Sequence, residues 1–149
     1  MARAILDTNV LVHAAYSEAE HHAGAAVLVD RGLRISGQFC IAPQNLIEFA
    51  AVVSRSRFVG RTMPPRELAR MIELLYRSRR LSKIYPRRGT VIRAIREGTK
   101  LGISGPAWYD LFLAATARDA GVDVIVTDNV SDFRRFPFIS TLSIEEAAR

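Results

Sequence analysis

The twelve residues "MARAILDTNVLV" (1–12) decide how the rest of the chain is understood. Ala4, Ile5 and Leu6 form an apolar run that ends in Asp7, and Thr8, Asn9 and a second apolar run follow. A carboxylate between two segments bound for a core is costly to desolvate unless something compensates its charge. Asp7 must therefore cap a helix, pair with a cationic group or hold a cation. "RAIL" reads as a short buried strand and "NVLVHAAYS" as a helix, which puts Asp7 where strand passes into helix. Open α/β sheets bind their ligands at such carboxyl ends of strands.

The same alternation continues along the chain. "HHAGAAVLVDRGL" is a helical run stopped near Gly32, and "QFCIAP" is a second short strand. Pro43 fits the first turn of a helix over "QNLIEFAAVVSRS". In "PPRELARMIELLYRS", Leu68, Met71, Ile72, Leu75 and Tyr76 form a stripe at helical spacing. "LSKIYP" is strand-like, and "GTVIRAIREGTKLG" is a basic amphipathic helix. "GPAWYDLFLAATARDAG" is a helix begun by Pro106 and ended by Gly121. "DVIVTD" and "FPFISTL" are strands, and Ser143 with Glu146 makes a capping box for a last helix in "SIEEAAR". Strands alternating with helices predict a single α/β domain over residues 1–149, with a central parallel sheet covered on both faces.

With 149 residues, 49% of them hydrophobic and 24% charged, the chain can bury an ordinary globular core. The only cysteine, Cys40, lies in an apolar stretch and is expected to be a buried core residue. No stretch resembles a signal peptide and none is long and apolar enough to span a bilayer, so a cytoplasmic protein without membrane contact is expected. The net charge of +6 suggests a polyanionic partner. Arginines concentrate between Arg55 and Lys100, where acids are few; Arg87, Arg88 and Arg93 are candidate contacts to that partner's backbone.

Four acidic places stand out against this basic background. Asp7 ends the first strand, where the plain alternative is an N-cap. Glu48 is the only charge in "LIEFAAVV", a helix apolar on nearly every side, and such charges are rarely buried without a partner or a metal. Asp110 shares a stripe with Leu113, Ala114 and Ala117; the helix dipole favours an anion there by only ~0.3–1 kcal/mol, too little to offset burial. In "VIVTDNVSDF", Thr127, Asp128, Asn129 and Asp132 crowd the end of a strand, where a polar turn would account for any one of them. Brought together, these acids would raise one another's pKa, whereas a divalent cation would bind them. Oxygen-only ligands suit Mg²⁺ or Mn²⁺ rather than zinc. His13, His21 and His22 have neither cysteine companions nor ligand spacing. An acidic metal pocket beside a basic flank fits phosphodiester hydrolysis by a metal-activated water.

The stretches "ILDTNVLV", "PQNLIEFAAVVSR", "YDLFLAATARDAGVDVIVTDNVSDF" and "FPFISTLSIEEA", in this order, resemble the PIN-domain ribonucleases, specifically the VapC-type toxins of toxin–antitoxin pairs. The resemblance implies a Rossmann-like fold, Mg²⁺-dependent endoribonuclease activity, homodimerisation and a cognate VapB-type antitoxin. It makes Asp7 and Asp110 the principal metal ligands, and Glu48 completes the acidic pocket. Thr127, Asn129 and Asp132 match a late T-x-N-x-x-D-F pattern, which favours Asp132 over Asp128 as the fourth acid. Thr8 and Asn9 would fix the loop around Asp7.

Two other functions compete. An aspartate-based phosphatase of the haloacid-dehalogenase type would carry a second Asp where Asn9 stands. A non-catalytic nucleic-acid-binding module of the same fold would have no use for Glu48 in an apolar helix.

Overall fold

In a computed structural model describing residues 3–55 and 57–149, five short strands form one wholly parallel sheet. In chain order the elements are β1 (Ala4–Leu6), α1 (Thr8–Ala15), α2 (His22–Arg34), β2 (Phe39–Ile41), α3 (Pro43–Val53), α4 (Pro65–Arg77) and β3 (Ser82–Lys83). They continue as α5 (Thr90–Leu101), α6 (Ala107–Asp119), β4 (Val124–Val126), α7 (Val130–Arg134), β5 (Ser140–Leu142) and α8 (Ile144–Ala148). The strand order is β3-β2-β1-β4-β5, so β1 is central and the chain winds to one side of it before returning to the other. Ligands of such sheets bind at that reversal, outside the carboxyl ends of the two strands where it occurs. Here those strands are β1 and β4, paired Ala4 to Val124, Ile5 to Ile125 and Leu6 to Val126.

Side chains alternate across the sheet and divide the core in two. Ala4, Leu6, Phe39, Ile41 and Val126 face a layer holding Leu11, Leu28, Phe49, Leu75 and Ile144. Ile5, Cys40 and Ile125 face the opposite layer, with Leu111, Ala114, Phe133 and Phe136. Cys40 is buried and unpaired, and burial pushes its thiol up to about 12, which suits an inert core residue.

The expected elements are present, with three local differences. Gly32 does not end α2: it lies inside the helix, where a Cβ would come within 3.2 Å of Leu81 and 3.6 Å of Phe39. Glycine there serves close packing of helix on sheet. Tyr76 leaves the apolar stripe of α4; its side chain is exposed and its hydroxyl meets that of Tyr85 at 3.1 Å. The stretch after β4 is a turn followed by a further short helix, α7, which buries Phe133. The capping box of α8 forms as the sequence indicates, with Ser143 Oγ accepting from the Glu146 N–H and Glu146 Oε2 from the Ser143 N–H.

Helices α5 and α6 pack as an antiparallel pair at Gly98, where a Cβ would lie 2.4 Å from Trp108 and 2.7 Å from Leu111. Leu111 is fully buried and cannot move away. Gly98→Ala should therefore destabilise the fold by ~1–3 kcal/mol through overpacking, more than the ~1 kcal/mol that alanine gains in helix propensity. Thermal unfolding of the variant checks this; a raised melting temperature would show that the contact is slack.

Candidate active site

Asp7 leaves β1 with its backbone N–H still bonded to the Val126 carbonyl of β4 at 2.9 Å. Its side chain then turns into the gap between the two strands and is 7% exposed. Oδ1 accepts from the Thr8 N–H at 2.7 Å, so Asp7 does cap α1. Oδ2 accepts from Thr127 Oγ1 at 2.8 Å and from Asn9 Nδ2 at 3.0 Å. Asn9 also donates to Thr127 Oγ1 and accepts from the Asp128 N–H, tying the loop after β1 to the loop after β4. Asn9 is thus a linker between loops, and no second carboxylate of the phosphatase arrangement stands there.

The first turn of α3 is fixed by Asn45, fully buried, whose Oδ1 accepts from the Ala42 N–H and whose Nδ2 donates to Thr8 Oγ1. One turn later Glu48 accepts from Thr8 Oγ1 at 2.9 Å and from Gln44 Nε2 at 2.6 Å. Gln44 also donates to the Tyr109 carbonyl, joining α3 to the start of α6 beside Asp110. Asp7, Glu48 and Asp110 thereby line one cavity of about 450 Å³, together with Thr8, Asn9, Asp128, Asn129 and Phe58.

The carboxylates feel one another. Burial raises Asp7 to about 7; its hydrogen bonds with Thr127 and Thr8 oppose the shift, and the charges of Asp110 and Glu48 add to it. Asp110 is raised to about 6, by burial first and then by Asp132 and Glu48, with Arg135 opposing. Among the described residues no basic side chain lines the cavity, and Arg135 acts on Asp110 only through its charge. Among the described residues, no three His, Cys, Asp or Glu side chains converge into a ready-made ligand cluster. A hard cation such as Mg²⁺ keeps several waters and needs only one or two carboxylates, which Asp7 and Asp110 could supply. The all-oxygen, uncompensated donor set therefore fits a divalent cation of that kind.

The two late acids take different places. Asp132, exposed on α7, acts on Asp110 through its charge. Alternation along an extended strand would turn Asp128 away from the pocket, but β4 has already ended at Val126. Asp128 instead lines the cavity wall, with Oδ2 at 2.7 Å from Nε2 of the buried His13. His13 Nδ1 accepts from the His21 N–H at 3.4 Å, which leaves the ring proton on Nε2 to donate to Asp128. This use of His13 was not visible in the sequence.

Two of the arginines singled out for RNA, Arg87 and Arg93, lie toward the far end of α6. Arg93 is ion-paired with Asp119 at the last turn of α6, and the Arg87 N–H bonds Thr90 Oγ1, which itself donates to Asp119. Asp119 and Asp110 are nine residues apart on α6, roughly 13 Å along its axis. Arg55 and Arg57, by contrast, line a cavity of about 430 Å³ that shares Ala51, Val52 and Phe58 with the acidic one.

A three-layer sheet with acidic loops at its central reversal is the architecture of one nuclease-bearing family. The PIN domain model matches residues 4–139, and the chain belongs to that family. Its fold is that of VapC-type toxins: it is similar to DNA-bound VapBC from Salmonella typhimurium, with 25% identity, a TM-score of 0.65 and coverage of 97% of this chain and 99% of that one. It is also similar to VapBC-1 from nontypeable Haemophilus influenzae (18% identity, TM-score 0.65, 95% and 97% covered). A third similar fold is Mycobacterium tuberculosis VapC20, a sarcin–ricin-loop-cleaving toxin (12% identity, TM-score 0.62, 81% and 85% covered). No curated protein matches in sequence. Among the described residues, no helix is long and apolar enough to cross a membrane.

The raised carboxyls carry a pH signature. Unfolded, Asp7 and Asp110 return to the usual range near 4, so between about pH 4 and 7 the folded chain binds the more protons. Metal-free protein should lose stability as pH rises through that window, by up to ~4 kcal/mol from Asp7 at 1.36 kcal/mol per unit. Melting in EDTA from pH 5 to 8 should show the decline, and Asp7→Asn/Asp110→Asn should flatten it. An equally steep decline in the variant would separate these acids from the effect.

Proposed function

We propose that this chain is the ribonuclease toxin of a toxin–antitoxin pair, a Mg²⁺- or Mn²⁺-dependent endoribonuclease that hydrolyses RNA phosphodiester bonds in the cytoplasm. The observation that carries this reading is the acidic cavity lined by Asp7, Glu48 and Asp110, where Asp7 feels the charges of Asp110 and Glu48, Asp110 feels those of Asp132 and Glu48, and no basic side chain stands among the described lining residues. When bound, the cation supplies Lewis acidity and a water of lowered pKa. Asp7 and Asp110 would hold the cation, and hydrogen-bonded neighbours fix the direction of the Asp7 carboxylate. Thr127 and Asn9 orient Asp7, while Thr8 and Gln44 orient Glu48, which is placed to accept a proton at Oε1 or Oε2. Asp132 reinforces the negative field at Asp110. Asp128, held by His13, forms the pocket wall and stays outside the ligand set.

The partners follow the same reading: an RNA substrate, a VapB-type antitoxin and a second copy of the chain. Similar folds occur in VapBC complexes. Support also comes from an apolar groove of about 300 Å³ between α5 and α6, lined by Val91, Ala94, Ile95, Trp108, Tyr109 and Phe112. Val91, Ile95 and Tyr109 are exposed there, an apolar surface that association would remove from water.

Asp7→Asn or Asp110→Asn should abolish cleavage of labelled RNA in Mg²⁺ while leaving the chain folded. Mg²⁺ should stabilise the wild type by ~2.7 kcal/mol at a hundredfold excess over its dissociation constant, and the double variant should show no shift. Cleavage by either variant would overturn the site. A metal shift in wild type without cleavage of any RNA or DNA would favour the binding module.

Salt dependence separates the two groups of arginines. Each lost phosphate contact on a single strand should reduce the slope of log affinity against log salt by roughly 0.7. Arg55→Glu/Arg57→Glu should flatten that slope more than reversal of Arg87, Arg88 and Arg93 together. The opposite ranking would place the RNA across the α5 end of the molecule.

A further inference from the structure

We propose that Phe58, with Ala51, Val52, Arg55 and Arg57, forms a nucleobase subsite that receives the base next to the scissile phosphate. The inference rests on the ribonuclease reading and adds to it a determinant of substrate choice. The cavity beside Phe58 adjoins the acidic one, since Ala51, Val52 and Phe58 line both. Its lining combines the apolar Ala51 and Val52, consecutive residues of α3, with Arg55 and Arg57. A single-stranded polyanion with planar bases complements that combination of charge and flat apolar surface.

Phe58 is exposed over 39% of its surface, yet it is braced from beneath. The His13 ring meets it edge to face, with centroids 5.2 Å apart and planes at 77°, and Tyr16 lies at 6.0 Å. His13 is in turn fixed by Asp128 on one nitrogen and the His21 N–H on the other. Tyr16 is covered by the Arg61 guanidinium, 4.7 Å from its ring and ion-paired to Glu18. An aromatic ring held on one side and open on the other is a preorganised stacking platform, and it needs little ordering when a base arrives. The buried His13–Asp128 pair thereby acquires a purpose: it positions Phe58 at the lip of the acidic pocket.

The test compares two labelled chains of ten residues, oligoadenylate and the same ribose-phosphate chain without bases. Both are bound in EDTA to the non-cleaving Asp110→Asn protein, with and without Phe58→Leu. Loss of one base stack should weaken oligoadenylate binding roughly 5- to 150-fold and leave the abasic chain unchanged. Phe58→Tyr should retain the affinity. Ala51→Leu, which fills the cavity from a solvent-facing position on α3, should reproduce the base-selective loss without disturbing the packing of Phe58. Equal losses on both chains, or no loss on oligoadenylate, would overturn the subsite. If wild type cuts RNA in Mg²⁺ but Phe58→Leu has no selective effect, the subsite falls and the nuclease stands. If wild type cuts nothing but the base-selective loss is found, the nuclease and the scissile position fall, and base binding at Phe58 stands.

Discussion

The architecture depends on keeping the Asp7 carboxylate in the seam between β1 and β4. That seam is the centre of a parallel sheet, with apolar layers on both faces, and it offers a charge little water. Three donors from two distant parts of the chain, Thr8 N–H, Asn9 Nδ2 and Thr127 Oγ1, partly replace the lost hydration. They do not cancel the cost, since the group remains raised to about 7. The surrounding polar network follows from this need: Asn9 bridges two loops, Asn45 holds Thr8, and Thr8 holds Glu48. A structural cap and a metal ligand are therefore not alternatives for Asp7. The hydrogen bonds that cap α1 also aim the carboxylate.

Much of this was legible in the sequence, for definable reasons. Short apolar runs ending in polar clusters marked the strands, and prolines marked the starts of α3, α4 and α6. Asp7, Glu48 and Asp110 stood out because each is a charge in an apolar context, a local property of the chain. Gly32 misled because glycine ends helices by taking positive φ and also sits inside them where another element comes close; only the neighbours Leu81 and Phe39 distinguish the two. Helix α7 escaped because five residues carry too little periodicity to register.

The remainder was hidden because it is made of contacts between segments far apart in sequence. His13 looked like an isolated ring until Asp128, 115 residues later, was found beside it. Arg93 looked free among basic neighbours, but Asp119 folds back against it. Phe58 carried no signal in a loop whose composition is ordinary; its place at the mouth of the acidic cavity comes from the path of the chain after α3. Charge density along the sequence suggested a polyanionic partner, while which arginines lie beside the acidic cavity required the folded geometry.

The pairing of β1 with β4 also sets a clock. Asp7 and Thr127 are separated by 120 residues, and neither the central strand pair nor the pocket can close until the later one has been synthesised. At ~5–20 residues per second, that interval is about 6–24 s on the ribosome. During it, β1 can pair only with β2, and Asp7 has neither its Thr127 donor nor Asp110 beside it. The acidic centre is thus assembled late in translation, so a nascent chain lacks the complete acidic pocket for most of its time on the ribosome.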